Sequence, residues 1–479
     1  TVLVELATDL FHIVHMLGSH NFAAGECYTA AGLLIEDFVL HRFLDKCIYR
    51  VFLTGQLPGL CDAPVGTDAA GGTLGTVKYN LSVYDGIGSL FTFCNTSTTG
   101  GTFVLMKNEN QLLPLKKEGK VALIGPFLND RKEIQGTWSP SGANEKYTTI
   151  LEAFRKTVGE KVELLYARGC GFEDGANEEQ IQNYLRDKGK GFKWQPGTPE
   201  EADEAVRVAG QSDVIIAFLG EHEMMSGESS SRSELTLPAS QRALLERLLN
   251  TGKPVVLVYF MGRPVVMDWE TEHVSAILNV WFPGSEAGDA IADVLFGDVN
   301  PSGKLTASFP RNVGQIPIHY DELPTGRPLA EGSKFVKFTS AYLDVPNTPL
   351  YPFGYGLSYT TYEYSPMTLS ADRMTEQGNI KVSVTVKNTG DYDGDEIVQL
   401  YIRDLVGSIS RPLKQLKGFQ RIHLKKGESK EVTFTLTSEL LKFYNSELQY
   451  VCEPGDFEVM VGPDSQRLEC RRFTLSANN

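Results

Sequence analysis

The sequence predicts an α/β domain followed by a β-sandwich, and two different patterns of apolar residues predict it. Between residues 119 and 320, continuous runs of Val, Ile, Leu and Ala alternate with segments of helical character. After residue 362, shorter runs place an apolar residue at every second position. Continuous apolar runs are typical of parallel strands covered on both faces, whereas period-two alternation is typical of strands with one buried face.

The first pattern contains five predicted strands with helices between them. The strands are VALIGP (121–126), VELLYARG (162–169), DVIIAFLG (213–220), PVVLVYF (254–260) and SAILNVWF (275–282). The clearest helix begins with a capping box, in which Thr198 is the N-cap, Pro199 is the first helical residue and Glu201 the third. This alternation predicts a layered α/β domain over 119–320.

The second pattern predicts a β-sandwich over 363–479. Its strands are KVSVTVKNTG (381–390), EIVQLYIRD (396–404), KEVTFTLT (430–437) and DFEVMVGP (456–463), with turn sequences between them. Short alternating strands at this spacing favour two packed antiparallel sheets. Residues 321–362 are predicted to connect the two domains, and the stretch 66–118, which contains runs rich in Gly, Thr and Ser, is predicted to be a linker.

Composition narrows the classes of partner. The chain has 60 acidic and 45 basic residues, a formal net charge of −15, so its surface repels phosphate groups. We therefore expect no nucleic-acid partner and no membrane partner, whereas a neutral sugar remains compatible. None of the seven cysteines forms a C-x-x-C pair, so the sequence predicts no metal site. Pairing of Cys452 with Cys470 is an alternative to free thiols.

The loop GEHEMMSGESSSRSELTLP (220–238) is the strongest candidate for a functional segment. It follows the third predicted strand, and open α/β sheets place functional loops at the carboxyl ends of their strands. The charged residues of the loop are Glu221, Glu223, Glu228, Arg232 and Glu234. The composition of this segment is also typical of an ordinary solvated loop. The spacing of its carboxylates cannot identify a glycosidase, because the second catalytic carboxylate can come from anywhere in the chain.

Several long motifs resemble glycoside hydrolase family 3, in particular its exported bacterial β-glucosidases. The segment SDVIIAFLGEHEMMSGESSSRSELTLP is similar to the acid/base loop of the family, and LMKNENQLLPLKKEGKVALIGP (105–126) is similar to the entry into its second domain. WFPGSEAGDAIADVLFG and LYPFGYGLSYT resemble its later signatures, and VKNTGDYDGDEIVQLYIRD resembles its fibronectin-type-III-like domain. The resemblance covers about 102–479.

The resemblance implies roles for individual residues. Glu228 falls on the family's acid/base glutamate, and Arg232 is expected to orient the loop through a carboxylate partner or to bind substrate. His222 is a candidate for contact with a sugar hydroxyl, and Trp138 and Trp281 are candidates for stacking on a sugar ring. Glu221 and Glu223 are expected to shape the loop. The family uses no organic cofactor, so none is expected here.

The resemblance also implies a catalytic (β/α)8 barrel, of which this chain holds only a C-terminal remnant at 1–65. The family's nucleophile is an aspartate in a Ser/Thr-Asp pair, and Asp9, after Thr8, fits that position. HNFAA (20–24) and GLCDAP (59–64) resemble family segments, whereas Leu10 and the Gly/Thr tract depart from the family pattern. We expect a missing barrel segment, or a second copy in a homodimer, to complete the site.

These features predict a retaining, exo-acting hydrolase that releases terminal β-linked glucose. β-Xylosidase or α-arabinofuranosidase activity is an alternative within the family, and a non-catalytic scaffold or carbohydrate-binding fragment is an alternative of another class. A nucleotide-binding protein is disfavoured, because no glycine-rich phosphate loop follows the first strand. Family members of this branch are exported, so the resemblance implies a periplasmic or secreted protein.

Overall fold

The computed structural model of the protein describes residues 98–139, 147–172, 197–330, 333 and 335–477. All of them belong to one compact unit, which contains an α/β domain and a β-sandwich. The predicted barrel remnant at 1–65, the candidate nucleophile Asp9 and the first part of the predicted linker lie outside the described residues.

The α/β domain is built on a six-stranded sheet. Its strands are β1 (Val104–Asn108), β2 (Gly119–Ile124), β3 (Val162–Ala167), β4 (Val214–Gly220), β5 (Val255–Phe260) and β6 (Ala276–Asn279). The strand order is β1-β6-β5-β4-β2-β3, and β2 to β6 run parallel to one another. The five strands predicted from continuous apolar runs are therefore confirmed as the parallel part of the sheet.

Strand β1 falls inside the range 66–118 that the sequence assigned to a linker. It pairs antiparallel with β6, and Val104, for example, lies opposite Asn279. Val104, Leu105 and Met106 are buried, so this segment is held in the domain by both hydrogen bonds and apolar contacts. The α/β fold thus begins earlier in the chain than the sequence pattern indicated.

Five helices whose full length lies within the described ranges cover the two faces of the sheet. They are α1 (Ile150–Val158), α2 (Pro199–Gly210), α3 (Ala239–Leu249), α4 (Asp268–His273) and α5 (Ala287–Leu295). Helices α1 and α5 contribute to one apolar core, and α2 and α3 contribute to a second core on the other side. Along β4, Ile216 and Phe218 enter the first core while Ile215 and Ala217 enter the second. Both strand faces are therefore buried, which explains the continuous apolar runs.

The β-sandwich follows the α/β domain. Its strands are β7 (Tyr362–Tyr364), β8 (Thr368–Leu369), β9 (Arg373–Met374), β10 (Asn379–Asn388), β11 (Gly394–Asp404), β12 (Gln415–Leu424), β13 (Ser429–Thr437), β14 (Phe443–Tyr444), β15 (Tyr450–Val451), β16 (Gly455–Gly462) and β17 (Glu469–Leu475). One sheet has the order β13-β10-β7 with β8 also paired to β10, and the other has the order β12-β11-β16-β17-β9. The short strands β14 and β15 form a separate pair.

Alternating residues of the sandwich strands fill its core. In β10, Ile380, Val382, Val384 and Val386 are buried, as the period-two pattern predicted. The two cysteines for which pairing was an alternative, Cys452 and Cys470, are free thiols in the structure. Among the helices of the described ranges, none is both long enough and apolar enough to cross a bilayer.

Candidate active site

The loop that carries Glu228 leaves the sheet at its topological switch point. Strand β3 lies on one side of β2 in the sheet, whereas β4, β5 and β6 lie in that order on the other side of β2. Loops that follow β2 and β4 therefore leave adjacent strands and diverge from the same edge of the sheet. Crevices outside such switch points are the usual ligand sites of open α/β sheets. The candidate loop is thus at the position where this fold binds ligands.

Glu228 lies at an exposed turn of this loop. Gly227 before it has a φ of 116° and Ser229 after it has a φ of 60°. These two residues with positive φ, one on each side of Glu228, turn the chain sharply at the glutamate. The side chain of Glu228 is exposed, in contrast to Glu221 and His222 at the start of the loop, which are buried. A carboxyl group presented in this way is accessible to a ligand.

A buried ion pair joins the two ends of the loop. Nη1 of Arg232 donates to Oε1 of Glu221 at 2.8 Å, and the Glu221 side chain is only 1% exposed. The other carboxylate oxygen accepts the backbone N–H of Gly262, which follows β5, at 3.1 Å. Nη2 of Arg232 also donates to the carbonyl of Thr236. The expected carboxylate partner of Arg232 is therefore present, and Glu221 links the loop to Arg232 and to the backbone after β5.

A second arginine braces the loop from the β5 side. Nη2 of Arg263 donates to the carbonyl oxygen of Met225 and, at 2.7 Å, to that of Ser230. Its Nε lies 3.6 Å from Oε1 of Glu221. Because one guanidinium binds carbonyls on both sides of Glu228, it fixes the distance between Met225 and Ser230, the two arms of this turn.

The loop after β2 holds the same segment from the opposite side. Oγ1 of Thr137 contacts the carbonyl oxygen of Glu223 and donates to that of Ser226 at 2.6 Å. Oε2 of Glu133 accepts the backbone N–H of Glu223 at 2.7 Å, and Nζ of Lys132 lies 2.5 Å from the Glu223 carboxylate. Glu223 therefore joins the loop after β4 to the loop after β2.

Burial shifts the titration of two residues beneath the loop. Burial first, and the charges of Glu223 and Asp130 next, raise the pKa of Glu133 to about 8. Burial lowers the pKa of His222 to about 3, and the positive charges of Arg232 and Lys132 act in the same direction. At neutral pH both side chains are therefore uncharged, and the support of the loop contains a carboxylic acid and a neutral imidazole.

The remaining candidates occupy different environments. Nδ1 of His222 accepts the backbone N–H of Met224, and its ring is 2% exposed, so it lies beneath the loop. Trp138 follows Thr137 and is 60% exposed, whereas Trp281 is half-buried against Phe309 with a φ of 54°. Sugar contact by Trp138, Trp281, His222 or Arg232 stays a prediction, and Asp9 lies outside the described residues.

The sequence reasoning missed five residues that support the loop, namely Lys132, Glu133, Thr137, Gly262 and Arg263. Each follows β2 or β5, the two neighbours of β4 in the sheet. Their placement after predicted parallel strands was the only available signal. Knowledge of the strand order was needed to recognise that these segments meet the candidate loop.

A cavity of about 470 Å³ opens elsewhere, in the β-sandwich, and Tyr364, Met367 and Arg467 are among its lining residues. Several of its polar groups already have partners: Tyr364 donates to Glu396, and Arg467 pairs with Asp464. No residue of the Glu228 loop lines it. We therefore assign the candidate site to the loop. Within the described ranges, no group of three or more His, Cys, Asp or Glu residues could hold a metal ion.

Comparison with protein families identifies the class to which this fold and loop belong. The glycosyl hydrolase family 3 C-terminal domain matches residues 103–359, and a fibronectin type III-like domain matches residues 396–465. The chain therefore belongs to glycosyl hydrolase family 3, as its motifs indicated.

Individual relatives extend this result. The periplasmic beta-glucosidase of Salmonella typhimurium is 47% identical over 373 residues, which are 78% of this chain and 48% of the relative. A beta-xylosidase of Formosa agariphila is 37% identical over 450 residues, 92% of this chain and 56% of the relative. The beta-glucosidase from Listeria innocua, solved in complex with isofagomine, superposes with a TM-score of 0.73 at 35% identity, covering 84% of this chain and 52% of that chain. The chain spans about half the length of these relatives.

Proposed function

We propose that this chain is part of a retaining, exo-acting glycoside hydrolase that releases terminal β-linked glucose, with Glu228 as its acid/base. The observation that carries the proposal is the exposed Glu228 at a sharp turn whose two arms are held by Arg263. General acid catalysis needs a carboxyl group that is both accessible and fixed in place. The similarity to named β-glucosidases supports glucose as the sugar.

The proposed chemistry has two steps. In the first, Glu228 donates its proton to the glycosidic oxygen while a carboxylate attacks the anomeric carbon, which releases the aglycone and forms a glycosyl ester. In the second, Glu228 takes a proton from water, and the water oxygen displaces the carboxylate to give sugar with retained configuration. We propose Asp9 as the nucleophile, because Thr8-Asp9 fits the family's Ser/Thr-Asp pair.

The sugar specificity has an alternative supported by the relatives. Two relatives named as β-xylosidases cover 92% and 91% of this chain. Hydrolysis of β-xylosides or α-arabinofuranosides is therefore the alternative to hydrolysis of β-glucosides. A panel of 4-nitrophenyl glycosides of these three sugars discriminates them, because each activity releases the same chromophore from a different sugar.

A non-catalytic scaffold or sugar-binding fragment is the second class of function. The chain spans 48% of the Salmonella relative, so a missing barrel segment or a second copy in a homodimer is proposed to complete the site. Isothermal titration with glucose and xylose would detect binding without turnover. The similarity to a periplasmic β-glucosidase supports placement in the periplasm or outside the cell.

The test of the acid/base role is Glu228→Gln in the full chain. Loss of a general acid costs about 10²- to 10⁴-fold. We expect that loss in kcat/KM with 4-nitrophenyl β-glucoside, and a smaller loss with a 2,4-dinitrophenyl leaving group that needs no proton. Azide should restore turnover by attacking the glycosyl ester without base assistance.

Glu234→Gln is the matched control, since Glu234 is an exposed glutamate of the same loop. It should retain wild-type activity. Equal losses in the two variants, or unchanged turnover in Glu228→Gln, would remove the assignment. An unmodified chain that binds sugar but hydrolyses no glycoside of the panel would favour the scaffold function.

A further inference from the structure

Glu133 is a fully buried acid at the contact between two loops. It begins a short 3₁₀ turn (Glu133–Gln135) after β2, and Oδ1 of Asp130 accepts its backbone N–H at 2.6 Å. Its Oε2 accepts the N–H of Glu223 at 2.7 Å, whereas its Oε1 has no hydrogen-bond partner among the described residues. The side chain therefore reaches from one loop into the backbone of the other.

We infer that Glu133 is a positioning residue for Glu228, and that it performs this role as a neutral carboxylic acid. The inference rests on the proposed function of Glu228. Glu133 acts through the backbone of the loop that presents the acid/base, since its carboxyl group accepts the N–H of Glu223.

Residues 223–226 connect the contact at Glu133 to Glu228, and hydrogen bonds from the loop after β2 hold them in place. Glu223 is held at its N–H by Glu133, and its carbonyl oxygen contacts Oγ1 of Thr137. Thr137 also holds the carbonyl of Ser226, two residues before Glu228. A Cβ atom at Gly227 would lie 3.0 Å from the Thr137 side chain, so the two loops are also in close steric contact. Movement at Glu223 would therefore be transmitted to the turn at Glu228.

The charges around Glu133 favour its neutral form. From its own loop it faces Asp130 and Lys132, and from the neighbouring loop it faces Glu223. Lys132 lies 2.5 Å from Glu223 but 3.9 Å from Oε1 of Glu133, so its charge mainly compensates Glu223. Ionisation of Glu133 would place a second anion beside Glu223 without solvent to stabilise it. Burial accordingly raises the pKa of Glu133 to about 8.

Two substitutions separate the acceptor function from the ionisation. Glu133→Gln keeps a carbonyl oxygen for the Glu223 N–H and stays neutral at every pH. Glu133→Ala removes the acceptor. Glu270→Ala is the matched control, because Glu270 is a buried glutamate in α4 that pairs with Arg242, away from this contact.

Hydrogen exchange over residues 221–230 and steady-state kinetics provide the readouts. Glu133→Ala should exchange faster in this segment and lose about 10- to 100-fold in kcat with little change in KM, since small misplacements of catalytic groups act on the transition state. Glu133→Gln should retain protection and kcat, and should retain activity above pH 8 where the unmodified protein declines. Glu270→Ala should leave protection of 221–230 unchanged.

Wild-type protection and kcat in Glu133→Ala would overturn the inference. A Glu133→Gln variant as impaired as Glu133→Ala would overturn the neutral form, because it would show that the charged carboxylate is needed. If the unmodified chain hydrolyses no glycoside, the proposed function fails, whereas the exchange experiment still decides whether Glu133 positions the loop.

Discussion

The guanidinium of Arg232 lies 2.8 Å from the carboxylate of Glu221, and this pair closes the loop that presents Glu228. The two side chains are only 13% and 1% exposed, so the pair is shielded from solvent. A shielded pair gains little net stability from its own attraction, because both charges lose their hydration. The pair instead fixes the geometry of the loop. It holds Glu221 and Arg232 together, and Glu228, which lies between them in the sequence, stays exposed to solvent.

We predict that Arg232→Ala lowers the free energy of unfolding by about 3–5 kcal/mol, because it leaves the Glu221 carboxylate buried without its closest cation. Arg263, whose Nε is 3.6 Å away, compensates only in part. Urea denaturation at pH 7 measures the change. Arg207→Ala is the control, since it breaks an exposed pair with Glu204 and should change stability little. Equal stabilities of the two variants would show that the Glu221 pair does not hold the loop.

A second prediction concerns Gly262, which follows β5. A Cβ atom at this position would lie 2.0 Å from Oγ and 2.6 Å from Cβ of Ser226, two residues before Glu228. Gly262→Ala should therefore displace the loop and reduce kcat/KM by about 10-fold or more, given the sensitivity of catalysis to misplacement. Kinetics with 4-nitrophenyl β-glucoside provide the measurement.

The steric cause of this effect can be checked with a second substitution. Ser226→Gly in the Gly262→Ala background removes the two closest atoms, leaves Cε2 of Phe282 at 2.9 Å, and should restore part of the activity. Gly210→Ala is the control, because no atom lies within 4 Å of a Cβ at that helix end. No recovery in the double variant would assign the loss to another cause.

The parts of the fold that were predictable from sequence are those set by local patterns. The capping box at α2 is one example: Oγ1 of Thr198 accepts the N–H of Glu201, and the Glu201 carboxylate accepts the N–H of Thr198. Both partners lie within three residues, so the motif is readable directly. An equivalent box at α1, formed by Thr149 and Glu152, has the same geometry and was overlooked beside a Gly- and Ser-containing stretch.

The parts that were missed depend on distant partners. Strand β1 is defined by its pairing with β6, more than 160 residues later, and its own pattern resembles the end of a linker. The contact of Glu133 with Glu223 spans 90 residues, and that of Thr137 with Ser226 spans 89. Such contacts follow from the strand order, which places β2 beside β4. The resemblance to family 3 identified Glu228, but it gave no information on the residues that support its loop.

A third prediction concerns the acid sensitivity of the protein. Burial lowers the pKa of His222 from 6.5 to about 3, so the folded protein holds this ring neutral while the unfolded chain binds a proton below about 6.5. The contribution of His222 to stability should therefore be complete above pH 6.5 and be lost as the pH falls toward about 3, with a slope of at most about 1.4 kcal/mol per pH unit.

His222→Asn tests this slope, because the Asn side chain still offers an acceptor to the Met224 N–H but does not titrate. In urea denaturation between pH 4 and pH 7, the stability of the unmodified protein relative to the variant should increase with pH up to about 6.5. His273→Asn is the control, since that ring is exposed and solvent reaches it in both states. Parallel curves for the unmodified protein and His222→Asn would contradict the assignment.

The final prediction concerns the junction of the α/β domain with the β-sandwich. Glu396 of β11 is 3% exposed, accepts the hydroxyl of Tyr364 at 2.8 Å and lies 3.4 Å from Nζ of Lys304 in the α/β domain. Lys304 also donates to the carbonyl of Gly356. One buried carboxylate thus joins a sandwich tyrosine to a lysine of the other domain.

Glu396→Ala should leave Lys304 and Tyr364 without this acceptor and destabilise the protein by about 3 kcal/mol. Because the contact crosses the junction, calorimetry should show unfolding of the two domains separating into two transitions where the unmodified protein gives one. Glu458→Ala is the control, since Glu458 pairs with Arg403 and Arg472 inside the sandwich and should lower stability without separating the transitions. Glu396→Ala could instead give a single transition at a lower temperature, as the control does. That result would contradict the prediction, because it would show that the domains stay coupled without the Glu396–Lys304 pair.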